Sequence, residues 1–309
     1  MADPDRTASL MTPSKLAQIK PRSAVSPAAW LSQMAADAGH VHVRRLGELL
    51  KELQAQAQLR DLSPLRGELA RLAEALPQLD FGLLQDRGWW ARTTGKSRSA
   101  GAEFAAQFNR IDQVARGLAA PSQAFGQKEQ AQTTAADLSL LEFDVEYHAI
   151  DKIIDQGARW LQDMRSQLKV RQAAPAEPAN EAQLQEDEAR CEILVARLKV
   201  LRAVISAAQQ AHEHAKGAAA RRAALLQLLQ HTLASGVKAW QQRLSALATA
   251  AADGGSPALS VEDSMEAHRE LQLGVKQAIA DCGQLQVQEQ SLTESLAALG
   301  EQLEAACRP

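Results

Sequence analysis

Asp144, His148, Asp151 and Asp155 follow one another at steps of 4, 3 and 4. On a helix they share one face, and carboxylates with an imidazole in such a row could hold a metal ion or move a proton. The plainer reading is a solvated flank, because Asp155 has Arg159 four residues on and Lys152 lies close by, and ion-paired flanks are ordinary on long helices. Thr94-Gly95-Lys96-Ser97 has the ending of a phosphate-binding loop, but the motif needs a glycine where Trp90 stands, and Gly88 comes too early. His40 and His42, and His212 and His214, are each two apart. Such residues point about 200° away from each other on a helix, so neither pair can grip one metal. Cys191 and Cys282 fall on apolar stripes and read as small hydrophobes, while Cys307 stands near the chain end with no basic cluster to activate it. No Ser–His–Asp set can be assembled. The expectation is therefore no catalytic residue, no cofactor and no metal.

Trp89 and Trp90 stand among Arg87, Arg92, Lys96 and Arg98. Indole and guanidinium groups together can hold an anion, a phosphate or a lipid headgroup. The competing reading is that the tryptophans plug the end of a helical bundle while the bases face water, since large aromatics are more often buried than exposed.

The elements that would carry these residues are long helices. From Ala136 to Arg171 one stripe runs through Ala136, Leu140, Phe143, Tyr147, Ile150, Ile154, Gly157, Leu161, Met164 and Leu168. Steps alternating 4 and 3 are the spacing of a helix buried along a long seam, and a rod of that length spans roughly 50 Å. Gln172 to Asn180, with Pro175 and Pro178, reads as a hairpin loop. A second rod keeps the rhythm from Leu184 through Leu194, Leu201 and Ile205 to Trp240 and Leu247, with Gly217 and Gly236 as places where it can bend. Asp253-Gly254-Gly255-Ser256-Pro257 stops it, and a third rod runs from about Ser260 to Ala306.

Upstream, the pattern predicts helices around Leu46–Leu59 and Leu62–Leu76, the latter with Ser63 as N-cap and Pro64 following. Helix resumes near Ala100, and Pro121 and Gly126 mark a turn or kink before the first long rod. The reading is an all-α fold, an elongated antiparallel helical bundle of long coiled-coil-like helices. Residues 1–27 form a disordered or loosely attached arm, 28–99 a small helical region with the Trp/Arg loop, and 100–309 the bundle.

Composition fits this. The chain has 309 residues and is 46% hydrophobic but only 4% aromatic, so its core is thin, built of Ala and Leu, and suited to closely paired helices. With 34 basic against 37 acidic residues it lacks the cationic excess of a general nucleic-acid binder. Three cysteines without paired spacing point to a reducing compartment. No run of 18 apolar residues and no apolar leader is present, and cytoplasmic residence is expected.

Phe108-Asn109-Arg110-Ile111-Asp112-Gln113-Val114 resembles the segment near the start of the helical core in the toxic-anion (tellurite) resistance family, the TelA-like proteins. Gly236-Val237-Lys238-Ala239-Trp240-Gln241-Gln242 is similar to that family's Thr/Ile–Pro–x–Trp–Lys–Asn–Gln region, with Lys238 in place of the usual proline and Gln241 and Arg243 diverging. Met265 to Ala306 resembles the closing helix, so the resemblance covers about residues 75–306. It implies a coiled-coil-rich bacterial protein of tellurite resistance and envelope stress, acting without catalysis as a helical scaffold on protein partners such as other resistance or stress proteins. Trp240 and Gln242, which keep the family pattern, are then the candidate partner contacts, and peripheral contact with the inner membrane fits the same reading. Two alternatives stay open: an anion- or lipid-headgroup-binding module using the Trp89–Arg98 loop, and a purely structural coiled-coil adaptor. Homo-oligomerisation also stays open, because an apolar seam buries equally well within one chain or between two.

Overall fold

The computed structural model describes residues 38–58, 61–85, 96–173, 178–253 and 261–307. Its elements are α1 (His40–Gln58), α2 (Ser63–Ala75), a 3₁₀ turn (Leu76–Gln78), α3 (Gly82–Gln85), α4 (Lys96–Gly117), α5 (Ala119–Gln172), α6 (Pro178–Gln227), a π-helical stretch (Leu228–Leu233), α7 (Ala234–Ala252) and α8 (Val261–Cys307). Among the described residues there is no strand, and the protein is an all-α bundle. Among the same residues no helix is long and apolar enough to cross a membrane.

Every member of the stripe from Ala136 to Leu168 is buried, as the alternating spacing requires of a core-facing seam. The helix that carries it starts earlier than the sequence suggests. Pro121 lies in the first turn of α5, where its missing N–H has no intrahelical partner to lose. Gly126 sits further into the same helix as a point of close approach, where a Cβ would meet Leu226 at 3.1 Å. Neither residue breaks the helix. At α2 the N-cap position belongs to Leu62, not Ser63, and has no side-chain cap. The Asp61 carboxylate instead accepts the Ser63 backbone N–H at 2.8 Å. Pro77 stands in the 3₁₀ turn that closes α2.

Packing divides the chain into two compact units that cut across its linear order: 1–45, 146–205 and 302–309 in the first, 46–145 and 206–301 in the second. In the first, α5 and α6 form an antiparallel hairpin. Arg171 pairs with Asp187 at 3.0 Å near the loop, and further along Gly157 lets Leu198 approach to within what would be 2.9 Å of a Cβ. Arg197 on α6 donates to the carbonyl of Ala38, ahead of α1, at 3.2 and 3.3 Å, and to that of Ala306 in the last turn of α8. A guanidinium fork suits two such carbonyls, which have no helical N–H to bond. Gly39 turns the chain into α1 with φ of 73°, a left-handed conformation in which a side chain would be strained.

In the second unit, α2, α4, α7 and α8 share one core. Leu69 and Leu72 of α2 meet Phe104, Phe108 and Ile111 of α4, Trp240, Leu244 and Leu247 of α7, and Leu271, Val275 and Cys282 of α8. The helices alternate in direction. Asp80 N–H reaches Gln107 Oε1 at 3.0 Å between the α2 end and α4. Gln241 Nε2 donates to Asp112 Oδ1 at 2.6 Å between α7 and α4, and Arg243 Nη1 donates to the Asp263 carbonyl at 3.2 Å between α7 and α8. Also in this unit, Phe143 of α5 lies 6.0 Å from His212 of α6.

Candidate functional site

The residues picked out for anion or lipid contact divide between two places. Arg87, Trp89, Trp90 and Arg92 lie outside the described residues. Lys96 and Arg98 belong to the first turn of α4, because helix resumes at Lys96 and not at Ala100; their side chains also lie outside the described ones.

Trp240 is described, and it is a core residue with no exposed surface. The reading of Trp240 as a partner contact is corrected accordingly: its indole is spent inside the second unit. Its ring lies 5.3 Å from Phe108, and its Nε1–H donates to His268 Nδ1 at 3.1 Å. A neutral imidazole that accepts at Nδ1 carries its proton on Nε2, and His268 hydrogen-bonds the Leu76 backbone. The ring also takes Phe81 edge-on at 5.4 Å. Burial in these apolar surroundings pushes the His268 imidazole down to about 4, against the weaker opposing pull of the Leu76 bond. Trp240 and His268 therefore tie α7, α8 and the 3₁₀ turn together. Gln242, two residues on, is exposed.

The Asp144–Asp155 row does not converge. Asp144 Oδ1 lies 3.8 Å from Nε2 of the buried His212. The His148 ring rests 4.4 Å from Tyr147, and Asp151 and Asp155 are exposed. Among the described residues no three His, Cys, Asp or Glu side chains gather as a metal site would need. Cys191 and Cys282 are buried and Cys307 is exposed. Burial pushes the Cys282 thiol up to about 11, so it offers no thiolate at neutral pH.

Two features escape a search for apolar seams. The first is a charged layer inside the second unit. Arg222 on α6 is buried, its Nε 3.3 Å from Glu129 Oε2 on α5 and its Nη1 3.2 Å from Glu289 Oε1 on α8. Beside it Pro64, Pro121, Phe125 and both glutamates help to line a small cavity of about 70 Å³. Glu129 stands seven residues before Ala136, and so on the seam itself.

The second is on the outside of α5. Leu138, Leu141 and Val145 are 62%, 63% and 46% exposed. Steps of 3 and 4 put them on one face, and at 100° per residue that face lies roughly opposite the buried line of Ala136, Leu140 and Phe143. The exposed Ala131 and Thr134 continue it toward the N-terminus. In this stretch α5 is thus apolar on two opposite sides, of which only one is used by the fold. Asp137, Glu142 and Asp144 stand beside the outer face. The signal was legible as a second 3–4 spacing, but the stronger inner stripe masks it. No family model, curated protein or solved structure matches this chain.

Proposed function

We propose that the protein is a non-enzymatic helical scaffold that acts by contact with protein partners. The observation that carries this reading is the outward face of α5, where Leu138, Leu141 and Val145 stand in water. Large aliphatic side chains aligned on one exposed helical face are the usual mark of a helix-docking surface. The occupant it fits is a partner helix with its own leucine stripe and with Lys or Arg beside it, to meet Asp137, Glu142 and Asp144. Three side chains cover far less than the roughly 800 Å² per partner of a stable complex. The contact is accordingly a reversible one.

The finer reading, resistance to tellurite and related toxic anions at the cytoplasmic side of a bacterial envelope, rests on the likeness of Phe108–Val114 and Gly236–Gln242 to segments of that family. The test is a deletion strain grown on tellurite and complemented with either wild type or L138E/L141E. Deletion should raise sensitivity; wild type should restore growth and the variant should not, although its helical circular dichroism is unchanged. A deletion strain with wild-type tolerance would remove the resistance reading. Full rescue by the variant would remove the outer face of α5 from the mechanism.

A further inference from the structure

The hairpin of α5 and α6 in the first unit carries an open groove of about 570 Å³. Its floor includes Leu161 and Leu198, both buried. Its walls carry four cations, Arg165 and Lys169 from α5 and Lys199 and Arg202 from α6, and no carboxylate. All four are exposed, and among the described residues none of them forms an ion pair, although the chain as a whole has net charge −3. No carboxylate enters the lining of the groove, so the four form a local basic stretch that the hairpin register sets. Arg171 against Asp187 and Gly157 against Leu198 set that register. It places Lys199 and Arg202 near the turn around Gly157, and Arg165 and Lys169 two to three turns further along. The cations are therefore strung over roughly 15–20 Å rather than gathered at one point.

We infer that this groove binds a linear anion bearing several phosphate groups. Four exposed cations along one groove, with no carboxylate in its lining, attract an extended anion. Two guanidinium forks offer paired N–H donors to phosphate oxygens, and two ammonium groups add charge without demanding geometry. The Gln162 amide on the same wall supplies a neutral donor. A single compact oxyanion would meet only one or two of the cations. A chain of three or more phosphates, or a row of phospholipid headgroups, meets them all. The volume is that of an ordinary small-ligand site. The inference is independent of the partner reading above, since it concerns other residues in the other unit.

The experiment is calorimetric titration of the full chain with tripolyphosphate, beside flotation with phosphatidylglycerol vesicles and with neutral phosphatidylcholine vesicles. Wild type should bind tripolyphosphate, more weakly as salt rises from about 50 to 200 mM, and R165Q/K199Q should lose at least about tenfold in affinity with its circular dichroism unchanged. R71Q/R269Q, which removes two exposed bases of the second unit, should bind as wild type. Flotation that depends on phosphatidylglycerol and is lost in R165Q/K199Q would assign the phosphates to a lipid surface. Binding to neither probe, or binding that R165Q/K199Q retains or R71Q/R269Q loses equally, would overturn the inference.

Discussion

Arg222 Nε lies 3.3 Å from Glu129 Oε2, and its neighbours along the buried stripe of α6 are Ala218 and Leu225. Glu289 completes the set at 3.2 Å, so three helices each place a charged residue in one layer of an otherwise apolar core. Such a layer adds little net stability, because desolvation offsets much of the attraction, but it penalises any slip that parts the charges. In an Ala-rich core with few large side chains to interlock, that penalty helps to fix helix register.

R222M should therefore destabilise by about 3–5 kcal/mol in urea unfolding, since it removes the buried cation that faces the buried Glu129 and the partly exposed Glu289. E129Q/R222M/E289Q should recover most of that loss, because it removes the charges together. If the single variant cost less than about 1 kcal/mol, the value for a surface ion pair, water would have to reach the layer and the register role would fail.

The glycines give a sharper packing test. A Cβ on Gly101 of α4 would fall inside the van der Waals shell of the Ala251 carbonyl on α7, while Gly47 and Gly283 have nothing within 4 Å. Backbone on the far side cannot move aside as a flexible side chain can. G101A should cost about 1–3 kcal/mol, as overpacking of a close contact does. G283A, in the middle of α8, should instead stabilise by about 0.5–1 kcal/mol through its higher helix propensity. Equal stabilisation by both variants would show that α4 and α7 do not approach so closely.

The seam of α5 could be read from spacing alone because Ala136 to Leu168 obey one rule without interruption. The same rule lost the core where a polar residue occupies a seam position: Glu129 extends the α5 stripe and Arg222 lies between Ala218 and Leu225 on α6, yet both read as surface residues in a one-chain pattern. Only the partner across the seam reveals them. By residue type Pro121 and Gly126 read as a turn or kink, whereas their effect depends on position, the first turn for one and a tight crossing for the other. The basic groove was hidden for a related reason. Arg165 and Lys169 are some thirty residues from Lys199 and Arg202 in sequence, and their lining one groove depends on the hairpin register. Trp240 reads from the sequence as a partner contact, but burial against Phe108 and His268 is what its size serves.

His268 supplies a pH dependence with a defined sign. Its folded-state value is about 4 against an ordinary 6.5. Above pH 6.5 the ring is neutral in both states, and its contribution is fully present. Between 6.5 and 4 the unfolded chain binds a proton that the folded chain refuses, so stability falls as pH falls, by at most about 1.4 kcal/mol per pH unit from this group. Below 4 both states are protonated and the loss stops growing. Protonation also places an N–H on Nδ1, where it opposes the Trp240 N–H donated there. Urea unfolding of wild type and H268Q at pH 7, 6 and 5 isolates this term from the other histidines. The wild type should weaken faster than the variant across that range. W240F, which leaves Nδ1 buried without its donor, should cost about 1–3 kcal/mol at pH 7. Parallel pH slopes for wild type and H268Q would mean that the ring is hydrated in the folded protein and that the Trp240–His268 bond does not hold α7 to α8.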